Sequence, residues 1–89
     1  MRMTAGLAAC LVLVVTAQQR PERIVSIVPA LTETLFAIGA GPQLVGVGSF
    51  DTHPAEVATL PRVGGLIDPN MELIFALRPD LVILYGSQQ

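Results

Sequence analysis

Three short apolar runs constrain this chain more than any other feature: Ile24-Val25-Ser26-Ile27-Val28, Leu44-Val45-Gly46-Val47 and Leu81-Val82-Ile83-Leu84-Tyr85. None alternates cleanly between apolar and polar residues. Near-continuous, β-branched runs of this kind belong to strands covered on both faces, as in parallel sheets. Parallel neighbours need long crossovers, and the two intervals between the runs carry helix signals. Pro29 stops the first run, Thr32 follows as an N-cap, Glu33 suits a first turn, and Leu31, Leu35 and Ile38 recur at i, i+4 and i+7. Gly39, Gly41 and Pro42 supply the stop. In the second interval, Ser49 to Pro54 reads as a polar loop, Ala55 to Leu60 as a turn or so of helix, and Pro61-Arg62-Val63-Gly64-Gly65 as a further loop. Asp68-Pro69-Asn70 opens a second helix carrying Met71, Ile74, Phe75 and Leu77, and Pro79 ends it. This order predicts two right-handed crossover units on a parallel sheet, an α/β fold. Open α/β sheets bind ligands outside the C-terminal ends of their strands. Here those ends are Val28-Pro29-Ala30, Gly48-Ser49-Phe50 and Tyr85-Gly86-Ser87.

The N-terminus has a different character. Met1-Arg2-Met3 is a short positive segment, and Ala5 to Val15 is an apolar run of eleven residues, too short for a bilayer span of ~20 residues. Val15-Thr16-Ala17 offers a leader-peptidase site, so residues 1–17 read as a signal peptide removed before Gln18. A buried core helix fits less well, because Arg20, Pro21, Glu22 and Arg23 follow at once. Leu7-Ala8-Ala9-Cys10 also matches a lipoprotein signal, with Cys10 lipidated. That reading ranks second, since only Ala5 to Ala9 precede Cys10 and Leu11 to Val15 would stay on the mature chain.

Composition and motifs narrow the function. Five arginines, no lysine and seven acids give a net charge of -2, which makes no basic patch and argues against nucleic-acid partners. The single cysteine forms no internal disulfide. No G-x-G-x-x-G follows the first strand, and neither a G-K-[ST] loop nor a nucleophile elbow occurs. One histidine leaves no triad and no metal-ligand cluster. These absences argue against an enzyme.

Several motifs in order carry a resemblance. Arg23 to Glu33 ends in Pro29-Ala30-Leu31-Thr32-Glu33, similar to a family S-P-x-x-T-E turn with Val28 in place of the serine; Leu44-Val45-Gly46-Val47 precedes Asp51-Thr52-His53-Pro54, and Pro61-Arg62-Val63-Gly64, Asn70-Met71-Glu72 and Leu77 to Val82 follow. Together they resemble the periplasmic, class III substrate-binding proteins of ABC importers, which capture cobalamin (vitamin B12), siderophores or haem; the cobalamin branch looks most similar. The resemblance implies a two-lobe solute-binding fold in which residues 18–89 are a truncated N-terminal lobe, a partial three-layer, Rossmann-like unit with a short parallel sheet. It implies a periplasmic or secreted protein, a permease partner in the inner membrane, no cofactor of its own, and cobalamin or a related metal chelate as cargo. An iron-siderophore-binding protein and a non-transport sensory or structural lobe are the alternatives.

The resemblance also assigns residues. Pro29 and Ala30 fall at the ligand-facing turn, Phe50 where the cobalamin branch sets an aromatic ring against the corrin, and His53 where it often has tyrosine before proline. A flat macrocycle needs apolar and aromatic walls with few polar anchors. Phe50 reads equally as a core residue and His53 as a solvated loop histidine. Glu72 matches the acid that family members dock on permease arginines, and is also a glutamate favoured by the helix dipole. Gly65 stands after Gly64 where haem-binding members place a nearby tyrosine, which counts against haem.

Overall fold

A computed structural model describes residues 20–86. The signal-peptide reading of 1–17, Cys10, Gln18 and Ser87 lie outside the described residues. Strands β1 (Ile24–Ser26), β2 (Leu44–Val47) and β3 (Leu81–Ile83) form a parallel sheet in the order β2-β1-β3. Helix α1 (Pro29–Ala37) joins β1 to β2, and α2 (Met71–Leu77) precedes β3. Short 3₁₀ turns occupy Gly41–Gln43 and Ala55–Thr59.

The non-alternating runs behave as their composition dictates on the central strand. Ile24 packs with Leu44, Val47 and Val57 under Leu35 and Phe36 of α1. Val25 and Ile27 point the other way, to Val63 and to Leu73, Ile74 and Leu77 of α2. The sheet is therefore the middle of three layers. Val25, Val47, Val57 and Val63 are fully buried, each worth about 1.5–3 kcal/mol of transfer free energy. A register shift between Ile24 and Val25 leaves Val45 unmatched on β2, and Gly46 then comes under α2, where an added Cβ would lie 2.8 Å from the Leu77 side chain.

Four details differ from the sequence reading. Helix α1 begins at Pro29, with Val28 as N-cap and no side-chain cap; the fixed φ of proline and its missing N–H suit the first helical turn. Thr32 therefore lies inside α1, fully buried, and its hydroxyl meets Ser26 Oγ at 2.8 Å. The inward face of α1 is Thr32, Leu35 and Phe36, whereas Leu31 and Ile38 are exposed. Segment 61–64 is more than a loop: Val47 N–H donates to Pro61 O at 3.0 Å and Val63 N–H to Val47 O at 2.9 Å, adding a strand-like rung beside β2. Finally, the third run is not covered on both faces: β3 stops at Ile83, and Leu81, Val82, Leu84 and Tyr85 are exposed, because β3 pairs only with β1 among the described residues.

The pole at the strand N-termini is fastened by two charged residues. Arg23 donates from Nε and Nη2 to Leu77 O at 3.0 and 2.6 Å, satisfying a carbonyl at the end of α2. Asp80 accepts from the Glu22 and Arg23 amides at 3.0 Å, and its own N–H donates to Arg23 O. These bonds fix the entry of β3 beside β1.

Candidate functional site

At the opposite pole the chain turns sharply after β2. Asp51 N–H donates to Gly48 O at 3.3 Å, and Asp51 Oδ2 accepts the Gly48 N–H at 2.6 Å, so residues 48–51 close on themselves twice. A side chain at position 48 would run into the Ile27 carbonyl oxygen of β1, which is why glycine stands where the strand ends meet. Ser49 N–H donates to Gly64 O at 2.9 Å, tying the turn to segment 61–64. Arg62 Nη1 donates to Gly48 O at 3.1 Å and also to Asp51 O. Gly64 itself has φ +94°, and a Cβ there would strike Asp68 O.

This framework splits the turn sharply by burial. Asp51 is 0% exposed, with Oδ1 buried and unbonded among the described residues. Its neighbour Phe50 is 76% exposed. Burial pushes the Asp51 carboxyl up, opposed by the Gly48 amide, the Thr32 hydroxyl and the Arg62 charge, while Glu33 adds to the upward push. Phe50 stands over a depression of about 460 Å³ lined by Ile27, Pro29, Gly65, Leu66 and Ile67, with Asp68 at its edge. The buried Gly65 leaves room for the ring, whose edge would be 3.5 Å from a Cβ at that position. The depression lies beyond the C-terminal end of β1, flanked by β2 and β3, where the chain leaves for both faces of the sheet.

The structure brings Pro29 and Phe50 to this one depression. Ala30 is exposed on the first turn of α1 and does not line it. His53 borders a separate hollow with Glu33, Phe36 and Glu56 on the α1 side. Glu72 is exposed in the first turn of α2, whose N-cap Asn70 accepts the Leu73 N–H at 3.1 Å. No cluster of three His, Cys, Asp or Glu side chains suited to a metal exists among the described residues. Sequence reasoning missed Leu66 and Ile67, which are 45% and 98% exposed, and the part Asp51 and Arg62 play in the turn. The aspartate three residues after Gly48 was the available signal for Asp51, because short acceptors of this kind bind nearby amides.

The arrangement can hold a flat or bulky apolar ligand against an aromatic ring and aliphatic neighbours. It offers no nucleophile–base pair. The sequence profile of a family described as periplasmic binding protein matches residues 24–89. An uncharacterized ABC transporter substrate-binding lipoprotein of Bacillus subtilis is 41% identical over 73 residues, covering 82% of this chain and 23% of its own length. The periplasmic vitamin B12-binding protein of Vibrio cholerae aligns in three dimensions with a TM-score of 0.68 and 39% identity, over 72% of this chain and 25% of that one. A periplasmic heme-binding protein from Pseudomonas aeruginosa aligns with a TM-score of 0.69 and 38% identity, over 71% of this chain and 23% of that one. The chain spans about a quarter of the length of these relatives.

Proposed function

The chain belongs to the periplasmic binding protein family, and from that premise we propose that its exposed strand-end pole is one wall of a ligand cleft that captures cobalamin for an ABC importer. The observation that carries the reading is Phe50, a large aromatic ring held in solvent by a turn whose main chain is fastened at Gly48, Ser49 and Asp51. Exposing a ring on an immobile support wastes burial in the free protein and favours a planar apolar partner, with little ordering left to do on binding. Ile27, Pro29, Leu66 and Ile67 extend the same wall. Pro29 and Phe50 are contacts in this reading; Ala30 and His53 are flanking positions that a larger ligand reaches. The metal travels within the cargo, so the protein needs no cofactor of its own.

An iron porphyrin or iron-siderophore is the second reading, favoured by the similarity to the heme-binding structure. Against it, Gly64-Gly65 occupy the loop beside Phe50, and the single tyrosine, Tyr85, stands past the end of β3. Glu72 is the proposed docking acid for the importer's permease. Residues 1–17 act as an export signal cleaved before Gln18, with lipidation of Cys10 as the alternative that the lipoprotein relative supports; the intact mass of the exported protein distinguishes a Gln18 terminus from a diacylglyceryl-cysteine.

The test is calorimetric titration of the intact gene product with cyanocobalamin, haemin and a ferric siderophore in parallel. Cyanocobalamin is expected to bind, and Phe50→Ala to weaken it by about 1–3 kcal/mol through lost aromatic burial. Haemin binding without cyanocobalamin binding moves the protein to the second reading. Unchanged cyanocobalamin affinity in Phe50→Ala removes the ring from the wall.

A further inference from the structure

We infer that Asp51 is a positioning residue for ligand capture, its buried carboxylate holding Phe50 over the apolar depression by locking the Gly48–Asp51 turn. The inference rests on the ligand-wall reading above and adds a residue to it.

The geometry is specific. Within one residue the chain passes from a ring that is 76% exposed to a carboxylate that is 0% exposed. Between β1 and α1, Ser26 Oγ and Thr32 Oγ1 pair at 2.8 Å, and the Thr32 hydroxyl also favours the charged form of the Asp51 carboxyl. Arg62 does not neutralise the carboxylate through a direct bond; its guanidinium takes the Gly48 and Asp51 carbonyls instead. The clamp therefore acts on the main chain from above and the carboxylate acts on the Gly48 amide from below. The Phe50 side chain itself takes part in none of these bonds.

A carboxylate is a costly choice for this task. Burial of a charge with one oxygen unbonded is destabilising, and a turn residue without a side-chain acceptor would avoid that cost. Such local conflicts gather where function demands a fixed geometry. What the carboxylate supplies is an oxygen acceptor at 2.6 Å for the amide that begins the turn, a bond that the charge strengthens, that an amide oxygen keeps in weaker form and that alanine removes. Pre-organisation of that kind raises affinity by removing the ordering cost of the ring at the moment of binding.

The experiment is a double-mutant cycle on the intact gene product, with cyanocobalamin as the probe and melting temperature recorded for each variant. Asp51→Ala is expected to weaken binding about tenfold, and Asp51→Asn, which keeps an oxygen acceptor for Gly48, to restore it to within about threefold. In the Phe50→Ala background, Asp51→Ala is expected to change affinity less than about twofold, since coupled residues do not act additively. Equal losses in both backgrounds, or a loss that Asn fails to rescue, overturn the inference. A ligand-free measurement separates it from the ligand reading: in the unmodified protein, nuclear Overhauser contacts between the Phe50 ring and Leu66 and slow exchange of the Gly48 amide are expected. Asp51→Ala should lose both and Asp51→Asn keep them. A freely rotating, contact-free Phe50 ring in the unmodified protein overturns the inference even where Asp51→Ala does not fold. If cyanocobalamin does not bind but the ring contacts depend on Asp51 as described, the ligand reading fails and the positioning role stands.

Discussion

Two aspartates in this chain answer protons in opposite directions. Asp80 is exposed and accepts the Glu22 and Arg23 amides, which hold its carboxyl below the ordinary value of 3.8. Its contribution to stability is present above the unfolded value and is lost as pH falls through the depressed one. Asp51 is buried, and desolvation holds its carboxyl above 3.8 against the Gly48 amide, the Thr32 hydroxyl and Arg62, with Glu33 pushing the same way as burial. Its protonated form is the one the fold favours, so the associated stability is full below the unfolded value and is lost as pH rises through the raised one. Lowering pH from neutral toward about 4 should therefore stabilise the unmodified protein relative to Asp51→Asn, which has no charge to bury. Melting temperatures of the two proteins across pH 4–8 check this, at constant ionic strength because Arg62 and Glu33 also face the site. A constant difference across the range would mean that Asp51 carries no proton linkage.

At the scale of elements, the legible parts were those where one physical rule acts alone. Ile24 to Ile27 and Leu44 to Val47 are covered on both faces, and their lack of alternation says so directly. The stop of α1 was equally readable: Gly39 N–H donates to Phe36 O and Ala40 N–H to Leu35 O, the Schellman pattern that glycine permits. The start of α2 at Asp68-Pro69-Asn70 was readable too, though the cap is Asn70 and not Asp68. The start of α1 was misread because two rules competed, and Pro29 at the first helical position prevailed over Thr32 as a cap. Thr32 was needed elsewhere, facing Ser26 within the layer between sheet and helix, and that partner lies outside any helical periodicity. The same blindness to long-range pairing hid segment 61–64, whose bonds to Val47 and Ser49 cross more than a dozen residues. For the site, the strand-end rule located the pole and Phe50 within it. Leu66 and Ile67 stayed hidden because an apolar pair in a loop reads as burial until the backbone shows which way it faces.

For the molecule as a whole, the proposed function assigns separate tasks to two features of its surface. One is the apolar pole around Phe50, and the other is the exposed acid Glu72 on α2, beyond the Asn70 cap. Glu72 does not line the depression under Phe50, so the proposed ligand and partner contacts are separable by mutation. A rim carboxylate on a helix acts on association through long-range attraction to a basic partner and little on internal stability. Reversal of its charge places a cation at a helix N-terminus, a mismatch of about 0.3–1 kcal/mol at an exposed site, too small to unfold the protein. Glu72→Arg in the intact gene product should leave cyanocobalamin affinity within about twofold while association with the permease and uptake both fall, since charged rim residues govern encounter more than local binding. The measurement pairs a solution titration with uptake into liposomes carrying the purified permease at low and physiological salt. Loss of uptake that shrinks with rising salt supports electrostatic docking, because screening weakens both the native attraction and the engineered repulsion. Normal uptake by Glu72→Arg at low salt would leave Glu72 as a helix-start residue and assign docking to another surface.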